Sequence, residues 1–238
     1  QNLIHAVWVF EIRHALAAIE DFKRRVVFAV IIGVKYFHGK TILPASVFEA
    51  EDLMEIFEAI HGRITAKQVK PDALPRETIE KLLSAGAQAP DHHKVRPWRF
   101  VVLTGDGRRK LGDVMSASFL DRNPGAPTEG VDKIGALPLR APVVIAVGAD
   151  KPTDTKIIEA ENVSAASAAC QNILLAAYAL GLGAIWRSGE WARDGKVKEF
   201  LGFAADQHII GFIYVGYPDV MPDPYTRIGF EDRVTWVE

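Results

Sequence analysis

The sequence contains a single cysteine, Cys170, among its 238 residues. One cysteine cannot form an internal disulfide, and it cannot supply the pair of thiolates found in most structural zinc sites. A disulfide-stapled fold is therefore excluded. The low cysteine content fits a reducing compartment, so we take the cytoplasm as the expected location. We expect Cys170 to be a buried structural thiol.

An excess of charge of one sign is also absent. The chain has 28 lysines and arginines against 30 aspartates and glutamates, and its isoelectric point is about 6.4. Such a chain has no overall field that would attract nucleic acid or an anionic membrane. We expect neither partner, and any bound anion must be held by a local cluster of cations.

Long apolar runs are missing as well. The run VVFAVIIGV at 26–34 is well short of the roughly 20 residues that span a bilayer. It also lies inside the chain and lacks a small-residue cleavage site, which argues against a signal peptide. The first methionine is Met54. We predict a domain over 54–238 and interpret residues 1–53 as an N-terminal extension, either native or the product of a mis-assigned start or an added sequence.

From residue 46 onward, apolar periodicity predicts alternating helices and strands. Helices are expected over 46–62 (capped by Ser46), 74–89, 108–120, 161–180 and 194–203, and strands over 99–104, 141–150, 183–190 and 208–218. Gly105 to Gly107 are expected to form a plain turn, since the later glycine of a dinucleotide-binding loop is absent. The Pro-rich tail is expected to end as an edge strand. Four strands between helices predict an α/β or α+β sandwich.

The segment APDHHKVRPWRF at 89–100 carries two adjacent histidines and three further cations. A metal site is disfavoured because the other histidines, at 5, 14, 38, 61 and 208, offer no pair at ligand spacing. A nucleic-acid patch lacks a basic surface around it. Two interpretations stay open: a solvated loop with Trp98 in the core beneath it, or one wall of a site for a flat anionic molecule.

The segment GRITAK at 62–67 places Arg63 and Lys67 four residues apart, with Thr65 between them. These side chains come close in a helix and share one side of an extended chain. An arginine fork suits phosphate, and a lysine can stabilise negative charge on a flat heterocycle. The segment therefore predicts an anion clamp; the alternative is three solvent-facing polar residues.

Together these segments resemble a known family. GRITAKQV, SAGAQAPDHHKVRPWRFVVL, APVVIAVGAD, ACQNILLAAYALGLGAIWRSGEW and HIIGFIYVGYP are similar, in order and spacing, to the nitroreductase family of flavoproteins, and in particular to its small YdjA-like NAD(P)H nitroreductases. The resemblance covers 54–238. It implies an α+β fold, an α-β-α sandwich with a central, mostly antiparallel sheet flanked by helices. It also implies a homodimer that associates through long helices, with one FMN on each side of the interface.

The reaction that the resemblance implies is a ping-pong transfer. NAD(P)H delivers hydride to flavin N5 and leaves, and the reduced flavin then passes electrons to a flat acceptor such as a nitroaromatic, a quinone or an enone. The cofactor carries this chemistry, so no catalytic side chain is expected. Two alternatives stay open: an FMN-binding store or sensor without turnover, and a dimerising scaffold with an empty cleft.

The resemblance assigns several residues to the phosphate and pyrimidine ends of FMN. Arg63 is expected at the phosphate or ribityl end, Lys67 near the pyrimidine ring, and Arg227 as a second phosphate ligand. Thr65 replaces the family's serine. Ile64 replaces a second arginine, which leaves less phosphate charge neutralised, so weak FMN retention on purification is expected.

The remaining residues implied by the resemblance lie beside the flavin ring. Gln88 and His92 are expected to contact FMN, across the dimer interface. Trp186, Arg187 and Ser188 are expected to run along the ring with their backbone donors, and Gly189 is expected to let the chain approach closely.

Overall fold

The computed structural model describes residues 34–37, 40–44, 54–220 and 227–238, the first two ranges by their backbone alone. The chain divides into two units, Gln1–Leu53 and Met54–Glu238. In the first unit, strand β1 (Val34–Phe37) pairs antiparallel with strand β2 (Lys40–Pro44). No strand was predicted there from the sequence. The predicted cap Ser46 lies outside the described residues.

The second unit contains six described helices and four described strands. The helices are α1 (Ile56–Gly62), α2 (Arg76–Gly86), α3 (Gly105–Arg122), α4 (Thr128–Gly135), α5 (Glu159–Ala179) and α6 (Gly195–Phe200). The strands are β3 (Trp98–Leu103), β4 (Val143–Ala149), β5 (Gly183–Arg187) and β6 (His208–Gly216). Short 3-10 turns occur at His92–Lys94, Leu137–Arg140, Glu190–Ala192 and Glu231–Arg233.

The four strands form one antiparallel sheet in the order β3-β4-β6-β5. Strand β4 is buried along its whole length, so both faces of the sheet are covered. Its residues alternate between two cores: Ile145 belongs to one, and Val144 and Ala146 belong to the other. The predicted α+β sandwich is confirmed.

The first core lies between the sheet and helices α2 and α5, and the second lies between the sheet and helices α3 and α6. Helix α5 buries small residues, among them Ala166, Ala169 and Ala177, which have no exposed surface. Small side chains let the helix backbone approach the sheet closely. The long helix ends just before Gly181, whose φ of +69° suits glycine. These features agree with the helix predicted over 161–180.

Four predictions from the sequence were wrong. The helix predicted over 46–62 was expected to cross Met54, but α1 begins at Ile56, because Glu55 is extended and its side chain caps the helix by accepting a hydrogen bond from the N–H of Phe57. Gly105–Gly107 form the first turn of α3 rather than a separate turn, because Thr104 has the extended conformation of a helix N-cap and Asp106 carries a negative charge in the first turn. Helix α4 was missed, since its flanking Pro and Gly residues indicate a loop. The tail over 227–238 contains a 3-10 turn and no strand. A strand requires a pairing partner, and this tail has none within the described chain.

Among the described residues, no helix is long and apolar enough to cross a membrane.

Candidate functional site

The segment after α1 runs beside the outer edge of β5. The backbone N–H of Ala66 donates to the carbonyl of Ala184 at 3.1 Å, and the N–H of Lys70 donates to the carbonyl of Tyr217 at 2.8 Å. Val69 forms an isolated antiparallel bridge with Pro218. These bonds satisfy part of the sheet edge and fix the backbone on either side of Lys67.

Lys67 and Arg187 come together in space. Both line a narrow crevice whose wall also includes Ile185, Arg140 and Tyr214. Lys67 is exposed and Arg187 is half-buried. Within residues 54–220 and 227–238, the guanidinium of Arg187 forms no hydrogen bond or ion pair. The crevice thus presents cations without an acidic partner, which is the arrangement that binds an anion.

Tyr214 is buried in this wall, and burial raises the pKa of its phenol because the charged form is poorly solvated there. The positive charges of Arg187 and Arg140 act in the opposite direction. Neither Tyr214 nor Arg140 was predicted from the sequence as a site residue. Tyr214 is simply one apolar position in a strand pattern, and Arg140 is an isolated cation outside every recognised motif.

Trp186 faces away from the crevice. Successive side chains of β5 point to opposite faces of the sheet, so Arg187 lies on the side of the second core and Trp186 on the side of the first. Trp186 Nε1 donates to the carbonyl of Ile210 at 3.3 Å, and its ring lies against Gly211. The side chain of Trp186 is therefore a core element, and only its backbone lies along the strand edge.

The turn after β5 has an open backbone. Gly189 has φ +101° and ψ −150°, a conformation that is accessible essentially only to glycine. A Cβ added there would meet no atom within 4 Å. Ser188, just before it, is exposed. A flat molecule could therefore lie directly against the backbone N–H groups of this turn.

Arg63 and Arg227 also meet, although they are 164 residues apart in sequence. Arg227 Nη2 donates to the carbonyl oxygen of Arg63 at 2.6 Å. Arg63, Ile64 and Thr65 are half-buried, and Arg227 is exposed. The contact places the two arginines predicted for a phosphate next to each other.

Gln88 and His92 lie in the connection between α2 and β3, and β3 is the strand at the other edge of the sheet. They precede β3, which is separated from β5 by three strand spacings, or about 14 Å at ~4.8 Å each. His92 Nε2 is 3.8 Å from Glu161 Oε1 at the start of α5. Both Gln88 and His92 are exposed. One chain therefore does not bring this pair beside Lys67 and Arg187.

The loop that carries His92 has an unusual backbone. His93, Lys94 and Arg96 have φ values of +53°, +57° and +48°. Residues other than glycine adopt this region at a cost of about 1–3 kcal/mol each. Asp91 offsets part of this cost, since its Oδ2 accepts a 2.7 Å hydrogen bond from the N–H of Arg96. Nothing in the sequence pattern signals this strain.

A larger groove of about 640 Å³ lies elsewhere, between α2 and the exposed edge of β3. None of the predicted site residues lines it. Arg76 at its rim is paired with Glu80 at 2.8 Å. Its size alone does not make it the functional site, because both of its arginines are already engaged: Arg76 by Glu80, and Arg108 by the carbonyl of Ala141, to which it donates at 2.6 Å.

Comparison with known proteins gives an independent assignment. The sequence model of the Nitroreductase family matches residues 60–217. The "Putative NAD(P)H nitroreductase YdjA" of Escherichia coli (strain K12) is 32% identical over 178 residues, which cover 72% of this chain and 96% of that protein. The "Putative NADH dehydrogenase/NAD(P)H nitroreductase" of Methanothermobacter thermautotrophicus is 34% identical over 185 residues, covering 76% and 86%.

Solved structures agree. A nitroreductase-like family protein from Bacillus cereus superposes with a TM-score of 0.68 at 25% identity, covering 78% of this chain and 97% of that one. A nitroreductase from Desulfovibrio desulfuricans, solved in complex with FMN, gives a TM-score of 0.62 at 25% identity, covering 78% and 98%. The resemblance deduced from the sequence motifs is confirmed, including its YdjA-like subgroup, and the chain belongs to the nitroreductase family.

Proposed function

We propose that this protein is an FMN-dependent NAD(P)H oxidoreductase that reduces flat acceptors such as nitroaromatics, quinones or enones. The observation that carries the proposal is the crevice in which Lys67 and Arg187 meet beside the open backbone of Gly189. The relative from Desulfovibrio desulfuricans that binds FMN and the relatives named as NAD(P)H nitroreductases support it.

The residues present fit FMN at both of its ends. Arg63 and Arg227, in contact with each other, are assigned to the phosphate end. Lys67 is assigned to the pyrimidine edge, where its ammonium group would donate a hydrogen bond to negative charge. The N–H groups of Ser188 and Gly189 are assigned to the ring edge. FMN, when bound, supplies the two-electron chemistry, so the protein needs no nucleophile and no acid-base residue.

The proposed active form is a homodimer. Gln88 and His92 precede β3, which lies three strand spacings of ~4.8 Å, or about 14 Å, from β5, so we infer that the two walls of one site come from different chains. A second copy can supply the missing wall. A twofold arrangement would then create two equivalent sites, each with one wall from each chain.

The proposed location is the cytoplasm, which the single cysteine and the need for a nicotinamide donor both favour. Both NADH and NADPH belong in the test of this proposal.

The first test is the visible spectrum of the purified full chain, before and after addition of FMN and removal of unbound flavin. We expect a yellow protein whose flavin absorbance is bleached anaerobically by NADH or NADPH. A colourless protein that takes up no FMN contradicts the proposal. A yellow protein that stays oxidised with both donors favours the flavin store or sensor instead.

Lys67→Ala tests the assigned cation directly. Removing a donor from developing negative charge should slow anaerobic bleaching by about 10-fold or more. Fully desolvated donors of this kind raise reaction rates by ~10²–10³-fold, and the effect expected here is smaller because Lys67 is exposed. Lys70→Ala is the matched control, since Lys70 is also exposed but does not line the crevice. Equal bleaching rates in the two variants would remove Lys67 from the site.

A further inference from the structure

A cavity of about 250 Å³ lies between the second face of the sheet and α3, next to the crevice of Lys67. It is lined by Leu111, Met115, Leu137, Arg140, Arg187, Ser188, Glu190, Trp191, Phe212 and Tyr214, and we call it the arginine cavity. Its volume is slightly below the ~300–1,000 Å³ of pockets for drug-sized ligands, so it suits a small molecule.

The floor and one side of the arginine cavity are apolar. Leu111 and Met115 come from α3 and Phe212 from β6, and all three are buried in the second core. Trp191 closes another side and is held by the guanidinium of Arg122, which lies 5.1 Å from the centre of its ring. These walls would bind the body of an apolar molecule by removing its surface from water.

The charged groups of the cavity are unbalanced. Arg140 and Arg187 both line it, and neither guanidinium group forms a hydrogen bond or an ion pair with any residue in 54–220 or 227–238. Glu190 is the one carboxylate in the lining, and its Oε2 is 2.7 Å from Arg122 Nη1. The charge of Glu190 is therefore balanced by Arg122 rather than by Arg140 or Arg187. Both guanidinium groups of the cavity thus stay available to an anion.

Tyr214 adds a polar group to the same wall. Its side chain is buried, and the positive charges of both Arg187 and Arg140 act on its phenol. Both arginines therefore lie close enough to Tyr214 to influence it, which is consistent with their facing the same space. The phenol can donate a further hydrogen bond to an anion held by the arginines.

We propose that the arginine cavity binds a small organic carboxylate. The carboxylate would lie between Arg140 and Arg187, where a planar fork of donors matches its two oxygens. The apolar body would pack against Leu111, Met115 and Phe212. This site goes beyond the proposed function. It adjoins the crevice proposed for FMN and shares Arg140, Arg187 and Tyr214 with it, but its ligand is a second molecule held by side chains on the sheet face rather than by the backbone turn assigned to the flavin.

The test is calorimetric titration of the full chain, supplied with FMN, using cyclohexanecarboxylate as the probe. Cyclohexylmethanol has the same body without the charge, and inorganic phosphate has charge without the body. We expect saturable binding of the carboxylate alone. No binding of the carboxylate, or equal binding of the alcohol, overturns the proposal, as does tighter binding of phosphate.

Arg140→Gln should weaken carboxylate binding by at least about 10-fold, which corresponds to ~1.4 kcal/mol. Arg140→Lys keeps the charge but loses the fork, so it should bind with intermediate affinity. Arg109→Gln is the matched control, because Arg109 is exposed on α3 and does not line the cavity. If Arg140→Gln binds as tightly as Arg109→Gln does, the assignment is wrong.

Thermal unfolding and flavin content of each variant separate the possible failures. Arg140 lies exposed on a 3-10 turn, so we expect both replacements to fold. A colourless protein that still binds the carboxylate would contradict the flavin proposal and support this one. A yellow protein that does not bind the carboxylate would support the flavin proposal and contradict this one.

Discussion

At the scale of single residues, burial decides what Cys170 can do. Its side chain has no exposed surface within α5, and burial raises the pKa of its thiol to about 12. The thiolate is the reactive form of cysteine, so almost none of the reactive species exists near neutral pH. This agrees with the sequence interpretation of Cys170 as a structural thiol.

We therefore expect the folded protein to resist a thiol-specific reagent at pH 8 and to react fully once unfolded in urea. The raised pKa also makes the stability of the folded protein depend on pH in the alkaline range. Between the ordinary thiol pKa of 9.0 and about 12, the folded state keeps a proton that the unfolded state loses, so this contribution to stability falls as pH rises through that window. Rapid labelling of the native protein at pH 8 would show that α5 opens readily.

At the scale of elements, close packing fixes how α3 meets α4. A Cβ added at Gly112 would lie 2.1 Å from the carbonyl oxygen of Gly135, a backbone atom that cannot move aside independently. By contrast, a Cβ at Gly107, in the same helix, would make an ordinary contact with Leu103 at 3.9 Å.

Gly112→Ala should lower the free energy of unfolding by about 1–3 kcal/mol, the usual cost of overpacking, as measured by urea denaturation. Gly107→Ala is the matched control and should leave the free energy unchanged or raise it by up to ~1 kcal/mol, since alanine favours a helix over glycine. If both variants lose equal stability, helices α3 and α4 are not as closely packed at Gly112 as this contact requires.

The elements also show what sequence patterns can and cannot predict. Strand β4 and helix α5 were predicted because their apolar content is dense and continuous. Helix α4 was not, because its short length and the Pro and Gly residues beside it resemble a loop. The tail was misjudged because its alternation of apolar and polar residues is typical of a strand, yet pairing depends on a neighbouring strand that local sequence does not reveal.

Local sequence also predicts only part of the candidate site. The clamp at Arg63 and Lys67 was predicted from spacing alone, since neighbouring residues share a segment. The approach of Arg227 to Arg63 depends on the path of the tail, and only the family resemblance indicated it. Arg140 was missed because its meeting with Arg187 is a product of tertiary structure, and neither residue's local sequence carries a sign of the other.

At the scale of the whole molecule, the residues proposed for the two walls of the site lie apart within one chain. Lys67 and Arg187 flank β5, whereas Gln88 and His92 precede β3 at the other edge of the sheet. Helix α1 also leaves Ile56 and Phe57 with 54% and 66% of their surface exposed, an apolar face that a second copy could cover. Both observations favour a dimer whose sites are shared between chains.

Shared sites can be tested by complementation between two defective chains. One chain carries Lys67→Ala with Arg187→Ala, and the other carries Gln88→Ala with His92→Ala; different affinity tags allow the mixed dimer to be purified. If each site takes one wall from each chain, the mixed dimer has one intact site and one site lacking both walls. Its NAD(P)H-dependent quinone reduction should then reach about half of the wild-type rate, because a twofold dimer has two equivalent sites. If both walls came from the same chain, every site would keep one defect, and the mixed dimer would perform no better than the average of its parents.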